Sequence, residues 1–399
     1  MESLKSLYRI GHGPSSSHTI GPQKACEFVL DKYPNATFFK VTLYASLSLT
    51  GRGHLTDFII KQILKDKKVE INWDYTTSVD HPNTMVIEIY EDDAFVNKHT
   101  FISVGGGALI IDGVNNEISE QVYPFNNFEE IKEYCIKENI SLAELVYRFE
   151  GEEIKEYLLQ VYNVMAKAIK SGFENEGVLP GGLNVQRKAK YFMQKKSEKE
   201  TDDMRKIRIV SAISYAISEE NASGGEIVTA PTCGACGVLP ATLFYLQYKD
   251  NLSVDKIIDA LAVSSIIGNV IKQNACISGA FAGCQSEIGS ACSMAAAAVS
   301  YLFNSSIDEI EYASEIAMEH HLGLTCDPVK GLVQIPCIER NAVAALRALD
   351  SASLALFLTS SRKVSLDTVI ETMYETGKDL SQEYKETSLA GLAKHYEDK

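Results

Sequence analysis

The spacing of hydrophobic positions changes repeatedly over the first hundred residues. Pro22 to Tyr33 carries apolar residues at helical spacing, Thr37 to Leu47 (TFFKVTLYASL) is rich in the β-branched and aromatic residues that suit a strand, and Thr56 to Leu64 is an amphipathic helix again. Thr84 to Tyr90 and Val96 to Val104 alternate with the two-residue period of strands. This mixture predicts an α+β domain over residues 1–125.

Around YPFNN at 123–127 the pattern turns, and from Phe128 onward nearly every long segment is helical in period. Residues 126–399 are therefore expected to form a mostly all-α domain. Glycine and proline interrupt it at 177–183 (GVLPGGL), 223–241 (SGGEIVTAPTCGACGVLPA), 277–298 (ISGAFAGCQSEIGSACSMAAAA) and 323–337 (GLTCDPVKGLVQIPC). Breaks of this kind free backbone amides to face a ligand. The stretch 187–208, with nine basic and four acidic residues, reads as a solvated surface element or a gate over a site.

With 399 residues, 45% of them hydrophobic and 23% charged, the chain can bury a core large enough for two domains. A net charge of -15 argues against nucleic acid as a partner, because that affinity comes mostly from basic groups on phosphates. The first residues lack the basic start and apolar run of a secretory signal, and the most apolar later run, Ala291 to Phe303, is short and broken by serine. A soluble, cytoplasmic protein with no membrane contact and a small-molecule substrate is expected. Its nine cysteines should be reduced, and seven of them crowd between Cys233 and Cys337.

Only Cys233 and Cys236 form a C-x-x-C; with no second pair and no nearby histidine they make a poor zinc site, and no βαβ pattern surrounds them as in thioredoxin-like proteins. Cys284, Cys326 and Cys337 each sit at a glycine- or proline-marked break, where thiolates can converge on a shared centre; buried, inert thiols would look the same. GHGPSSSHTIGP (11–22) and SLTGRGHLTD (48–57) offer hydroxyl and amide donors for a carboxylate plus an imidazole, although Ser17 or Thr19 would equally cap a helix. SVGGGALI at 103–110 is no G-x-G-x-x-G and is rejected as a nucleotide signal. No S-x-x-K, G-x-S-x-G or clear pyridoxal phosphate lysine appears.

These blocks, together with EGVLPGGL (176–183), NACISGAFAGCQSEIGSACSMAAA (274–297), EHHLGLTCDPVKGLVQIPCIERNA (319–342) and SLDTVIETMYETGKDL (365–380), resemble the iron-sulfur L-serine dehydratases, also called L-serine ammonia-lyases, over essentially the whole chain. The resemblance implies a 4Fe-4S cluster on Cys284, Cys326 and Cys337 whose remaining iron acts as Lewis acid on the hydroxyl of L-serine. It implies His18 or His54 as the base, Ser15, Ser16, Ser17 and Thr56 as hydrogen-bonding partners of the substrate, and Lys272 and Asn274 as further contacts. Elimination would give aminoacrylate, which hydrolyses to pyruvate and ammonia, in amino-acid degradation that feeds gluconeogenesis. A cytoplasmic homodimer is the family's usual form, its N-terminal domain like the substrate-binding domain of some phosphoglycerate dehydrogenases.

Two departures stand out. Some members end in a cysteine that caps the fourth iron, whereas this sequence ends KHYEDK with no cysteine after Cys337, so self-capping is not expected and little activation lag should follow. Cys233 stands where other members carry a different residue; it is a ligand, a redox-reactive thiol or inert. A separate ACT-type regulatory module is not expected either. Rival readings are a same-fold lyase acting on L-threonine or L-cysteine, a non-catalytic iron-sulfur redox sensor, and a zinc-dependent interaction protein.

Overall fold

In the computed structural model, which describes residues 1–104, 106–115, 121–358 and 362–397, the chain does not begin in the α+β layer. Leu4, Leu7 and Tyr8 are buried in the large helical core, where the Tyr8 hydroxyl donates to the Leu261 carbonyl at 3.0 Å. Strand β1 (Ile10–His12) then pairs antiparallel with a strand from the helical half, Glu226–Val228. By packing, residues 1–12 thus lie with the helices that follow residue 125.

The chain next builds a six-stranded sheet from β2 (Phe38–Tyr44), β3 (Lys68–Asp74), β4 (Thr84–Glu91), β5 (Ala94–Ser103), β6 (Leu109–Ile111) and β7 (Val114–Asn115). The order is β3-β2-β4-β5-β6-β7, antiparallel except for the parallel β2–β3 pair. Helices α1 (Gly21–Lys32), α2 (Ala45–Thr50) and α3 (Thr56–Ile63) accompany it. Val29 of α1 and Ile60 of α3 pack with Phe39, Val41 and Leu43 of β2 and Ile87 of β4, so the sheet buries one face. The strands expected from the sequence do not include β3, although its KVEINWD alternates polar and apolar residues; its charged residues lie along an exposed edge, where they discourage pairing with another chain. Gly105 of the SVGGGALI segment lies outside the described residues.

Beyond Phe128 the body is helical, as the 3.6-residue periodicity predicts, and its centre is the helix Ser290–Leu302. Every residue from Ser290 to Ser300 is buried. Alanines 295–298 keep it slender, so Val254–Asn274, Ile307–Glu319 and Cys337–Leu358 close round it at the density of a protein interior. Ser293 Oγ donates across to the Ser314 carbonyl of the neighbouring helix at 2.7 Å, whereas the buried hydroxyls of Ser290 and Ser300 have no hydrogen-bond partner among the described residues. Among the described residues one helix, Cys337–Leu358, is long and apolar enough to cross a membrane by length and composition; it packs on this central helix and half of its apolar window is buried in the protein. Residues 187–208 form a short helix, Ala189–Gln194, a loop, and the start of the helix Asp202–Ala222, and none of them reaches the cavity described next.

Candidate active site

Three breaks in the helical body bring three thiols to one cavity. Gly283, at φ +75°, turns the chain into Cys284; a Cβ there would stand 2.7 Å from the Leu324 carbonyl, so glycine lets the two cysteine loops touch. Gln285 laces them, its N–H donating to Leu324 O at 3.1 Å and its Oε1 accepting from Gly323 N–H at 2.9 Å. Cys326 is pinned to the C-terminal segment, donating to Tyr384 O and accepting from Glu386 N–H, both at 2.8 Å. Cys337 opens its helix, and Asn341 one turn on donates to Gly234 O at 2.7 Å and accepts from Gly237 N–H at 2.9 Å, which brings in the TAPTCGACG loop. The cavity holds about 400 Å³ of empty space including its opening, and the thiols are 4%, 4% and 9% exposed.

Charge near the thiols is balanced by Arg340. Its guanidinium donates to Thr325 O at 2.7 Å and to Asp327 Oδ1 at 3.2 Å. Burial works against its charge, but Cys284, Cys337, Cys326 and Asp327 beside it outweigh burial and raise its pKa. A hydrogen bond from Cys326, opposed by burial and helped by Arg340, holds Cys284 below its ordinary value; the same hydrogen bond, with burial, pushes Cys326 up, and burial pushes Cys337 up. Glu287 also borders the thiols, with Oε1 accepting from Thr232 Oγ1 at 2.8 Å and burial raising its pKa to about 7.

The opposite wall comes from the α+β layer. The loops before α1 and α3 are stitched reciprocally, Thr56 Oγ1 donating to His18 O at 2.6 Å and Thr19 Oγ1 to His54 O at 2.7 Å. The two rings meet edge-on with centroids 4.4 Å apart. Both nitrogens of His18 are engaged, Nδ1 with Ser17 Oγ at 2.8 Å and Nε2 with Ser46 Oγ and Thr50 Oγ1 at 3.1 and 3.0 Å, and burial lowers its pKa to about 4. His54 lines the cavity; its Nδ1 has no hydrogen-bond partner, its Nε2 stands 3.8 Å from Glu386 Oε1, and burial followed by the neighbouring His18 pushes its pKa well below 6.5.

Of the residues singled out by sequence, Ser15, His54, Cys284, Cys326 and Cys337 line this cavity together. Ser16 Oγ instead accepts from Cys233 N–H at 2.8 Å, while the Ser17 and Thr56 hydroxyls serve His18. Lys272 and Asn274 are not brought here. Lys272 Nζ pairs with Glu2 at 2.6 Å in a separate hollow, and Asn274 Nδ2 donates to Asn126 O at 2.8 Å. Cys233 packs with Ile20 and Ile217, off the cavity wall, and burial pushes its thiol up to about 12. Sequence reasoning passed over Glu287, Arg340 and Glu386. The first two carry a signal, each three residues beyond a ligand-type cysteine (CQSE, CIER) and hence on the same face of a helical turn; Glu386 carries none.

The walls meet at Gly53. A Cβ there would lie 2.4 Å from Gly331 O and 2.8 Å from Lys330 O, both backbone atoms. Gly53→Ala is therefore expected to cost about 1–3 kcal/mol by overpacking. It should also lower turnover by about a hundredfold, because His54 moves with the loop. Denaturant midpoints and steady-state rates check both.

Comparison with known proteins bears on what this cavity does. A family model described as the serine dehydratase alpha chain matches residues 107–393, and one described as the serine dehydratase beta chain matches residues 3–68. The chain is 40% identical to L-serine dehydratase 1 of Escherichia coli, covering 98% of this chain and 99% of that protein. It is 40% identical to an L-serine dehydratase of Helicobacter pylori, covering 98% of each. An L-serine dehydratase of Streptomyces coelicolor is 37% identical, again over 98% of each.

Proposed function

The chain belongs to the serine dehydratase family, with beta-chain and alpha-chain parts in one polypeptide, and from that premise we infer that it is an L-serine ammonia-lyase. It removes water from L-serine and releases pyruvate and ammonia.

The observation that carries the chemistry is the trio of buried thiols facing His54 across one cavity. Cysteine thiolates are the ligands of iron-sulfur clusters, and three of them leave one iron of a four-iron cluster open. We propose that Cys284, Cys326 and Cys337 hold a 4Fe-4S cluster, with Arg340 offsetting their charge. When bound, the cluster supplies a Lewis acid that makes the serine hydroxyl a better leaving group.

The protein's own groups do the rest. His54, which lines the cavity, takes the α-proton at Nε2, since its Nδ1 is fully buried and the depressed pKa keeps the ring neutral near pH 7. His18 is a positioning residue: Ser17, Ser46 and Thr50 hold its ring, and its edge holds that of His54. Ser15 Oγ accepts from His18 N–H at 3.2 Å and shares a 3.3 Å hydrogen bond with Ser17 Oγ; as the serine of this loop that lines the cavity, it would turn its hydroxyl to the substrate carboxylate. Ser16, Ser17 and Thr56 shape the loops rather than touch substrate. The aminoacrylate product needs no protein group for its hydrolysis.

We place the enzyme in the cytoplasm, where thiols stay reduced, and propose a homodimer, with Phe357 at 84% and Val343 at 61% exposure offering apolar surface to a second copy. Anaerobically prepared protein is expected to contain about four iron and four sulfide per chain and to form pyruvate from L-serine faster than it consumes L-threonine or L-cysteine. Preferred turnover of either alternative would change the substrate, a cluster without turnover of any of the three would favour the redox sensor, and protein free of iron and sulfide would remove the ligand assignment.

A further inference from the structure

A serine molecule brings an ammonium group as well as the hydroxyl and α-proton, and a buried ammonium needs acceptors. Two carboxylates border the cavity, and they stand on different walls. Glu287 belongs to the thiol wall: its carboxylate lies within 4.8 Å of both Cys284 and Cys326, its Oε1 takes the Thr232 hydroxyl, and its Oε2 would be 2.4 Å from a Cβ on Gly279. Glu386 stands on the imidazole wall, Oε1 lying 3.7 Å from His18 Nδ1 and 3.8 Å from His54 Nε2.

Those distances are too long for hydrogen bonds, and no described residue donates to the Glu386 carboxylate although its side chain is only 8% exposed. A nearly buried carboxylate with no donor is costly unless something arrives to pair with it. The backbone beneath it is held in an unusual shape for that purpose. Glu386 adopts φ +57°, a left-handed conformation unfavourable for a side chain of this kind. It is fixed there from both walls, its N–H donating to Cys326 O at 2.8 Å and its carbonyl accepting from Ser46 Oγ at 2.9 Å. Ser46 is also one of the groups that hold the His18 ring.

We propose that Glu386 receives the substrate's ammonium group, so that the C-terminal segment supplies the element selecting amino acids over hydroxy acids. The inference rests on the lyase reading and extends it. The geometry suits adjacent atoms of one small molecule: nitrogen and α-carbon are a single bond apart, and the carboxylate and the base that address them stand 3.8 Å from each other.

The test compares L-serine with 3-hydroxypropanoate, which is serine with hydrogen in place of the ammonium. In Glu386→Gln, which keeps the volume but cannot ionise to pair with the ammonium, the KM for L-serine should rise about 10- to 100-fold, the range of a charge-assisted hydrogen bond. The inhibition constant of 3-hydroxypropanoate should change by less than about threefold, because that molecule makes no such bond. Glu386→Asp should recover part of the serine affinity, and iron per chain should match the wild type in both variants. Equal losses for the two ligands, or an unchanged KM for serine, would overturn the proposal. Turnover of L-serine by the wild type in the same assay separates a failure here from a failure of the lyase reading.

Discussion

Replacing Cys326 with alanine is expected to remove pyruvate formation altogether and to strip most of the iron and sulfide from anaerobically purified protein. The expectation follows from where this cysteine stands. Its thiol is hydrogen-bonded with Cys284, and its backbone carries the pairing with Tyr384 and Glu386, so it joins the thiol wall to the segment on the imidazole side. Loss of a group one layer outside a metal site already costs about 10- to 100-fold in affinity or activity, and loss of a direct ligand costs more. The comparison that gives the result meaning is Cys292→Ala. Cys292 is as deeply buried, yet it lies in the central helix with Sγ near Ala344 O at 3.2 Å, away from the cavity. That variant should lose about 1 kcal/mol of stability through the missing sulfur and keep its iron and its turnover. Full iron and normal turnover in Cys326→Ala would take it out of the ligand set.

Elements whose burial follows a simple period were legible in the sequence. The helix over Pro22 to Tyr33, the strands at Thr37–Leu47, Thr84–Tyr90 and Val96–Val104, and the change to all-helical texture near residue 125 appear within a few residues of where the pattern puts them. Strand β3 escaped although KVEINWD alternates polar and apolar residues as a strand should; its Lys, Glu, Asn and Asp are weak strand formers, and no apolar residue of it is fully buried. The placement of residues 1–12 in the helical core escaped for another reason: Leu4, Leu7 and Tyr8 look like an ordinary apolar start, and only their long-range partners say which core they join.

The candidate site divides the same way. The cysteine loops announce themselves because glycine and proline must break the helices around them, and the two histidines because hydroxyl-rich loops frame them. What the sequence could not carry is which hydroxyl faces the cavity and which faces framework. Ser15, Ser16 and Ser17 are neighbours in the chain, yet Ser15 lines the cavity, Ser16 caps the Cys233 amide and Ser17 orients His18. Glu386 is the extreme case, an acidic residue in a polar tail whose position depends on bonds to Cys326 and Ser46, far away in sequence. Lys272 and Asn274 show the converse, polar residues beside a cysteine loop that turn the other way to hold Glu2 and Asn126.

The two histidines, equivalent in the sequence, are expected to separate in kinetics. His54→Asn should lower kcat by about 10²- to 10⁴-fold, the range for removing a general base, with iron content unchanged and little effect on the KM for L-serine. His18→Asn should lose less, because His54 still lines the cavity once the supporting ring is gone. The pH dependence tells them apart by sign. Burial, and then the neighbouring His18, hold His54 well below 6.5, so wild-type kcat/KM should stay level from neutral pH down through 6.5 and fall only on further acidification, as the ring gains the proton that blocks it. Removing His18 deletes one of the two influences that depress His54, so the acid limb should move to higher pH in His18→Asn. L-Serine deuterated at the α-carbon adds a direct reading: a base acting at that carbon gives a primary isotope effect that grows when its removal makes proton abstraction rate-limiting. An acid limb that stays put in His18→Asn, together with an unimpaired His54→Asn, would move the base to another group on the cavity wall.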